Sequence, residues 1–304
     1  MASHTLKHRN KIRETTGDRT FKIVNVVLVT IIILVLLYPF YYCVILAFND
    51  GIDAMRPGIY FWPRKPTLDN FIQTIKDPGL PRAAFVSVAR TVIGTITAVL
   101  TTAAFAYGLS KKKLRFRQFY NTFMIIPMFF GGGIIPTYLL MKSLHLTNNF
   151  LVYILPSLFS VFNALIFRAY FEDLPVSLEE SAELDGANHL TIFFRLILPC
   201  SMPVIAAISV FTAVGHWNSW MDTLYFIRKK PELETLAYKF AHLSQIMTAE
   251  MERWKNNPGG VTAGFTPISV QLAAMIISVL PIMVVYPFFQ KYFVRGVMIG
   301  AMKG

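Results

Sequence analysis

Leu174–Pro203 reads LPVSLEESAELDGANHLTIFFRLILPCSMP, a polar, acid-bearing stretch between long apolar runs. Its local signals predict two short helices and a turn. Pro175 breaks the helix before it. Ser177 stands three residues ahead of Glu180, the spacing of a capping box, in which each side chain serves the other residue's backbone N–H. Leu178 and Ala182 share a face. Gly186 accepts a positive φ and is expected to end the first helix. Asn188 is placed to cap the second. There Leu190, Phe193, Phe194 and Ile197 follow the i, i+3, i+4, i+7 pattern of an amphipathic helix, and Pro199 is expected to end it. The product is a helix–turn–helix with an apolar side and an acidic side carrying Glu179, Glu180, Glu183 and Asp185.

The rest of the chain sets that stretch in a membrane. The 304 residues are 54% hydrophobic and only 15% charged, with 26 Phe, and the mean hydropathy is +0.49. Soluble domains carry about a quarter charged residues. The composition therefore defines an all-α polytopic membrane protein. The net charge of +12 reflects basic residues flanking membrane spans, and no nucleic-acid-binding motif accompanies it. Cys43 and Cys200 are expected on opposite sides of the bilayer, so no disulfide is expected, and no zinc-ligand spacing occurs.

Six spans are predicted, with residues 1–20 as a basic cytoplasmic tail rather than a cleaved signal peptide. The first runs from about Ile23 to Phe48, long enough for a ~30 Å hydrocarbon layer, with Pro39 tolerated inside it. Asn49–Arg82 is an external loop in which Thr67 to Asn70 caps a short helix. The second span covers about Ala84 to Leu109. KKKLRFR, Lys111–Arg117, follows with five basic residues, a strong inside signal. The third covers about Phe119 to Met141, with Gly131, Gly132, Gly133 and Pro136 permitting close packing or a break that lines a cavity. The fourth covers about Phe150 to Tyr170, the fifth about Val204 to Phe226, and the sixth about Ile268 to Phe289. Arg228–Phe265 is external. In it Leu236, Phe240, Leu243, Met247 and Trp254 mark a helix face, and Asn256–Gly260 a turn. Arg228, Lys229 and Lys230 run against the charge bias, outweighed by the basic residues at both termini and in KKKLRFR. Both termini and Leu174–Pro203 then face the cytoplasm. The organisation is a tail, 1–20, and one membrane domain, 21–304, whose cytoplasmic loop spans about 171–203.

The search for enzyme chemistry is negative. GVMIGAMKG at the C-terminal end imitates a P-loop by eye, but its spacing is wrong and no Ser or Thr follows the lysine. No HExxH or GxSxG occurs. No cofactor is expected on this chain. His216, inside the fifth span, reads as a hydrogen-bonded interior histidine or a substrate contact in preference to a proton relay or metal ligand. Arg90 lies about 9 Å into the second span. It either contacts sugar hydroxyls or an anionic substrate, or snorkels to the outer interface, which is preferred.

Tyr138, Asn163, His216, Trp217, Asn218 and Trp220 form a second constellation on the inner spans. They combine apolar ring faces with hydrogen-bonding edges, as a sugar requires. Helix packing and interfacial anchoring are the structural alternative.

The Leu174–Pro203 segment resembles the EAA loop of ABC-importer permeases. Its counterparts are Glu180-Ser181-Ala182, Asp185-Gly186-Ala187 and Ile197-Leu198-Pro199, with Ser181 where alanine is usual. TLDNF (Thr67–Phe71), FGGGIIPTYLL (Phe130–Leu140), HWNSW (His216–Trp220) and QKYFVRGVMIGAMKG (Gln290–Gly304) extend the resemblance to nearly the whole chain. They look like the carbohydrate uptake class, closest to its lipoprotein/polysaccharide and complex-oligosaccharide branch in Gram-positive bacteria. The resemblance implies a type I importer fold and an ATPase-coupling loop at Glu180, Ser181, Ala182, Asp185, Gly186, Ala187, Leu198 and Pro199. It further implies a second homologous permease, two ATPase subunits holding ATP and Mg, and an extracellular solute-binding lipoprotein. Alternating access would carry a sugar or oligosaccharide across the cell membrane. Two rivals are a permease for peptides or amino acids and a polytopic membrane enzyme. The TLDNF segment and the C-terminal tail argue against the first. The second needs an acidic or metal-binding cluster at an interface, and only the Leu174–Pro203 loop offers acids.

Overall fold

The computed structural model describes residues 15–76, 78–243, 245 and 266–301. The helices used below are α1 (Thr16–Ala47), α2 (Asp69–Ile75), α3 (Leu80–Ser110), α4 (Arg117–Phe129), α5 (Ile134–Ser143), α6 (Val161–Glu172) and α7 (Val176–Leu184). They continue with α8 (His189–Cys200), α9 (Met202–Asn218), α10 (Met221–Phe226) and α11 (Pro267–Ala301). No strand forms among the described residues.

α1 begins inside the segment assigned to the tail. Thr15 and Asp18 close a capping box there: the Asp18 N–H donates to Thr15 Oγ1 at 3.3 Å and the Thr15 N–H to the Asp18 carboxylate at 3.1 Å. Residues 1–14 of the expected tail lie outside the described residues. Most of α1 is apolar and exposed within this chain, and only Ile45 and Ala47 at its far end are buried. A helix apolar on every side belongs in lipid or against another membrane subunit.

α1, α3 and residues Ile268–Val285 of α11 are each long and apolar enough to cross a membrane. Three further candidates are bent pairs. α4 and α5 meet at 114°, where Gly133 takes φ +78°, a conformation only glycine enters cheaply. Phe150–Ser157 and α6 meet at 48°, and Ser160 caps α6 by accepting the Asn163 N–H at 3.3 Å. α8 and α9 meet at 83°, and a second break at Ser219 and Trp220 separates α9 from α10. The expected third, fourth and fifth spans are therefore interrupted helices. The freed backbone groups of such breaks need protein or water around them.

α3 is the packing axis, with α6 and α9 against it. One core lies near its C-terminal end, with Tyr107, Phe167, Phe171, Ile192, Phe193 and Ile197 all buried. A second lies near its N-terminal end, around Val86, Tyr153, Ile154 and Phe226. α11 packs on α1, α2 and α9.

The loop between α1 and α3 is tied down by two fully buried asparagines. Asn49 Oδ1 accepts from the Lys65 N–H at 2.8 Å and its Nδ2 donates to Asp53 at 3.0 Å. Asn70 Nδ2 donates to the carbonyls of Ala47 and Asn49, both at 2.8 Å. Arg64 adds a bond from Nε to Asp53 at 3.1 Å. Leu68, not Thr67, is the N-cap residue of α2 and gives no side-chain cap; Thr67 Oγ1 accepts from the Asp69 N–H at 3.1 Å. The turn Asn256–Gly260, with Met247 and Trp254, lies outside the described residues.

Candidate functional site

The quoted stretch forms α7 and α8. Pro175, not Ser177, is the N-cap residue of α7, so the expected capping box is absent. The proline's fixed φ starts the helix early and places Ser177 inside it. There its carbonyl accepts from Ser181 Oγ at 2.8 Å. The turn is as expected: Gly186 has φ +79°, the Gly186 N–H donates to the Glu183 carbonyl and the Ala187 N–H to the Ala182 carbonyl, each at 3.0 Å. These are the two bonds of a Schellman cap. Asn188 then caps α8 through a 2.8 Å bond from the Thr191 N–H.

The buried face of α8 differs from the one its spacing suggests. Ile192, Phe193 and Ile197 are buried, whereas Leu190 is 70% and Phe194 55% exposed. Phe193–Ile197 is π-helical, and the Leu198 N–H donates to the Phe193 carbonyl. Leu190 precedes that wider turn, so its exposure follows from how α8 packs on the core near the end of α3. Pro199 also does not stop the helix, which runs to Cys200 before the bend.

Ala182, Ala187 and Leu198 pack against the core near the end of α3. Glu180, Ser181, Asp185, Gly186 and Pro199 are exposed, and Leu184 is 90% exposed. The loop is thus held by its small residues and presents acids and a bare leucine outward. Glu179 pairs with Lys111, at the end of α3. Nearby, Arg117 and Arg168 share Glu172, and Arg168 also donates to Asn121 at 2.6 Å.

Toward the other end of the bundle lies a cavity of about 490 Å³. The bends create its walls, because α5, Phe150–Ser157, α6 and the α9–α10 break all border it. Of the six polar and aromatic candidates, Asn163 and His216 line it. Tyr138 stacks on the lining residue Phe226, with ring centroids 6.2 Å apart and planes at 9°. Trp217 instead donates from Nε1 to the Ser278 carbonyl of α11 at 3.1 Å. Asn218 and Trp220, beside the helix break, are not in the lining. His216 is buried against α3, where a Cβ on Gly94 would stand 2.5 Å from its ring. Gly94 is what lets the imidazole in.

Arg90 does not snorkel. It is 3% exposed, grips Asp222 through both terminal nitrogens, and donates to the Ser219 carbonyl at 2.9 Å. Its guanidinium lies 4.6 Å from the Tyr153 ring centroid. Desolvation favours this pairing, because a carboxylate from another helix meets the buried guanidinium. Tyr153 in turn donates to the Leu233 carbonyl at 2.8 Å and shares a 3.0 Å bond with Thr223. Sequence reasoning missed Asp222 and Tyr153. A signal existed: Arg90 is the lone charge of its apolar run and Asp222 the lone charge of another.

An apolar bundle of broken helices with an open cavity of mixed polar and aromatic lining and an exposed acidic loop has the form of a membrane permease. The model of the binding-protein-dependent transport system inner membrane component family matches residues 90–299. The chain belongs to that family and is a membrane-spanning transport subunit of an ATP-driven importer, with hydrolysis in partner subunits. It is similar to Protein LplC of Bacillus subtilis (strain 168), 32% identical over 96% of this chain and 98% of that one. It is also 32% identical to the polygalacturonan/rhamnogalacturonan transport system permease protein YtcP of the same organism, over 89% and 94%. Among solved structures it is similar to a bacterial ABC transporter involved in the import of the acidic polysaccharide alginate. The TM-score is 0.79 at 26% identity, covering 92% of this chain and 99% of that one.

Proposed function

We propose that this chain forms half of the pathway through which a sugar or oligosaccharide enters the cell by alternating access. The observation that carries it is the cavity. Tyr153, Phe159, Phe211 and Phe226 offer ring faces there, and Thr137, Ser157, Ser160, Asn163 and Thr212 offer hydrogen-bonding edges. Arg90 Nε and Thr212 Oγ1 are buried without a hydrogen-bond partner within the chain, a state that costs free energy until a hydroxylated ligand or water meets it. The relatives named above, which include transporters of polysaccharides, support the same substrate class.

On this reading a second, homologous permease completes the pathway. Two ATPase subunits dock on the loop at about 171–203, through Glu180, Ser181, Ala182, Asp185, Gly186, Ala187, Leu198 and Pro199. ATP and Mg bind to those subunits, and this chain itself holds no cofactor. An extracellular solute-binding lipoprotein delivers the sugar. The chain crosses the cell membrane of a Gram-positive bacterium six times, with the tail, 1–20, and the C-terminus inside. The test is reconstitution with the partner subunits and the cognate binding protein, its ligand identified first by calorimetry. Uptake of that sugar should require ATP and fall when Asn163 or Tyr153 is replaced by alanine. ATP-dependent uptake of amino acids or peptides, with sugars inert, would overturn the reading.

A further inference from the structure

We propose that Lys111 and Glu179 are positioning residues that link the cytoplasmic loop to the cavity, with α3 as the rod between them. The inference rests on the transport reading above and adds the route by which the loop acts.

α3 runs unbroken for 31 residues, Leu80–Ser110. α5 is cut off from the loop by its bend from α4, whereas α6 and α9 run unbroken from cavity-lining residues, Asn163 and His216, to the loop between them. Those two are joined to the loop by the chain itself, whereas α3 meets the loop through side chains, so its movement with the loop depends on those contacts. A displacement at one end of a continuous helix appears at the other, whereas a bend absorbs it.

Both loop helices hold the C-terminal end of α3. From α7, Glu179 pairs with Lys111, the residue directly after α3, and the two side chains are 23% and 28% exposed. Lys111 Nζ also sits 3.8 Å from the centroid of the Tyr107 ring. From α8, Phe193 packs on the same ring at 5.3 Å, and Phe171 of α6 meets it edge-on at 6.2 Å. Tyr107 is 7% exposed. At the far end, Arg90 and Gly94 of α3 hold the α9–α10 break and His216. Arg90 lies 20 residues before Ser110, about 30 Å along the helix. The ion pair is a polar, oriented contact in the loop's grip on α3. Apolar contacts can slide, but a charge pair fixes register, so it decides whether α3 follows α7.

The experiment uses the complete importer in nanodiscs. A Thr137→Cys reporter in the cavity is placed on a Cys43→Ser, Cys200→Ser background. A charged maleimide reports its labelling rate with and without MgATP. The unreversed background should show an ATP-dependent change. Lys111→Glu and Glu179→Lys should each bring the ratio of the two rates at least threefold closer to one. The double reversal should restore it, which a merely structural loss would not do. Single reversals with the background ratio, or a double reversal as low as the singles, would overturn the link. A background ratio of one would instead sink the transport reading, and the link with it.

Discussion

Arg90 and Asp222 show how far one pair can organise a membrane bundle. They are 132 residues apart in sequence. Asp222 sits at the start of α10, next to a helix break, and Arg90 also takes the Ser219 carbonyl that the break frees. Removing one partner strands a buried charge, at a cost of roughly 3–5 kcal/mol, whereas replacing both with apolar groups is often neutral. Arg90→Met alone should therefore lower the melting temperature of the purified permease strongly. Arg90→Met with Asp222→Leu should recover most of the loss. Equal melting temperatures for the single variant and the parent would show the pair to be structurally idle.

At the scale of elements, the two loops are built differently. The loop between α1 and α3 is an asparagine-centred network. The Asn49 amide, and after it Arg64, hold the Asp53 carboxyl below its usual range. The sign follows: a carboxylate with a depressed pKa in the fold stabilises it above the unfolded value, about 3.9. That contribution is lost as pH falls through the folded value. The protection of the Lys65 N–H, relative to its intrinsic exchange at each pH, should fall on acidification below about pH 4, and Asp53→Asn should flatten the dependence. The Leu174–Pro203 loop depends on its turn. Gly186 has open space around it, so the penalty for a side chain there is conformational, about 1 kcal/mol or more. Gly186→Val should lower uptake with normal membrane levels of the permease. Because Glu180 takes no part in a cap, Glu180→Gln tests its charge alone. Weaker co-purification of the ATPase is expected, and wild-type behaviour in both variants would remove the loop from coupling.

The whole molecule is a sparse bundle. Much of its apolar surface, most of all along α1, is exposed within the single chain, which suits lipid and a second permease. The proposed six-span arrangement makes a direct prediction in sealed cells. A cysteine at Trp62, 78% exposed, should react with an impermeant maleimide from outside. Cysteines at Lys112 and Glu183 should react only after permeabilisation. Labelling at Glu183 from outside would invert the topology.

The sequence by itself determined the apolar runs, the basic loop after the second of them, the glycine turn at Gly186 and the Asn188 cap. Each is written in neighbouring residues, through length, charge or φ preference. Tertiary structure alone decided three other features. Pro175 displaced the capping box that Ser177 and Glu180 spell. Packing against the core at the end of α3 decided which apolar residues of α8 are buried. Arg90 found Asp222 instead of the interface. The last depends on where two helices cross, and Gly94 sets that approach by admitting His216. Spacing along a chain carries no information about crossings between distant spans, so the cavity became visible only when the bends in α4–α5, before α6 and at α9–α10 brought its walls together.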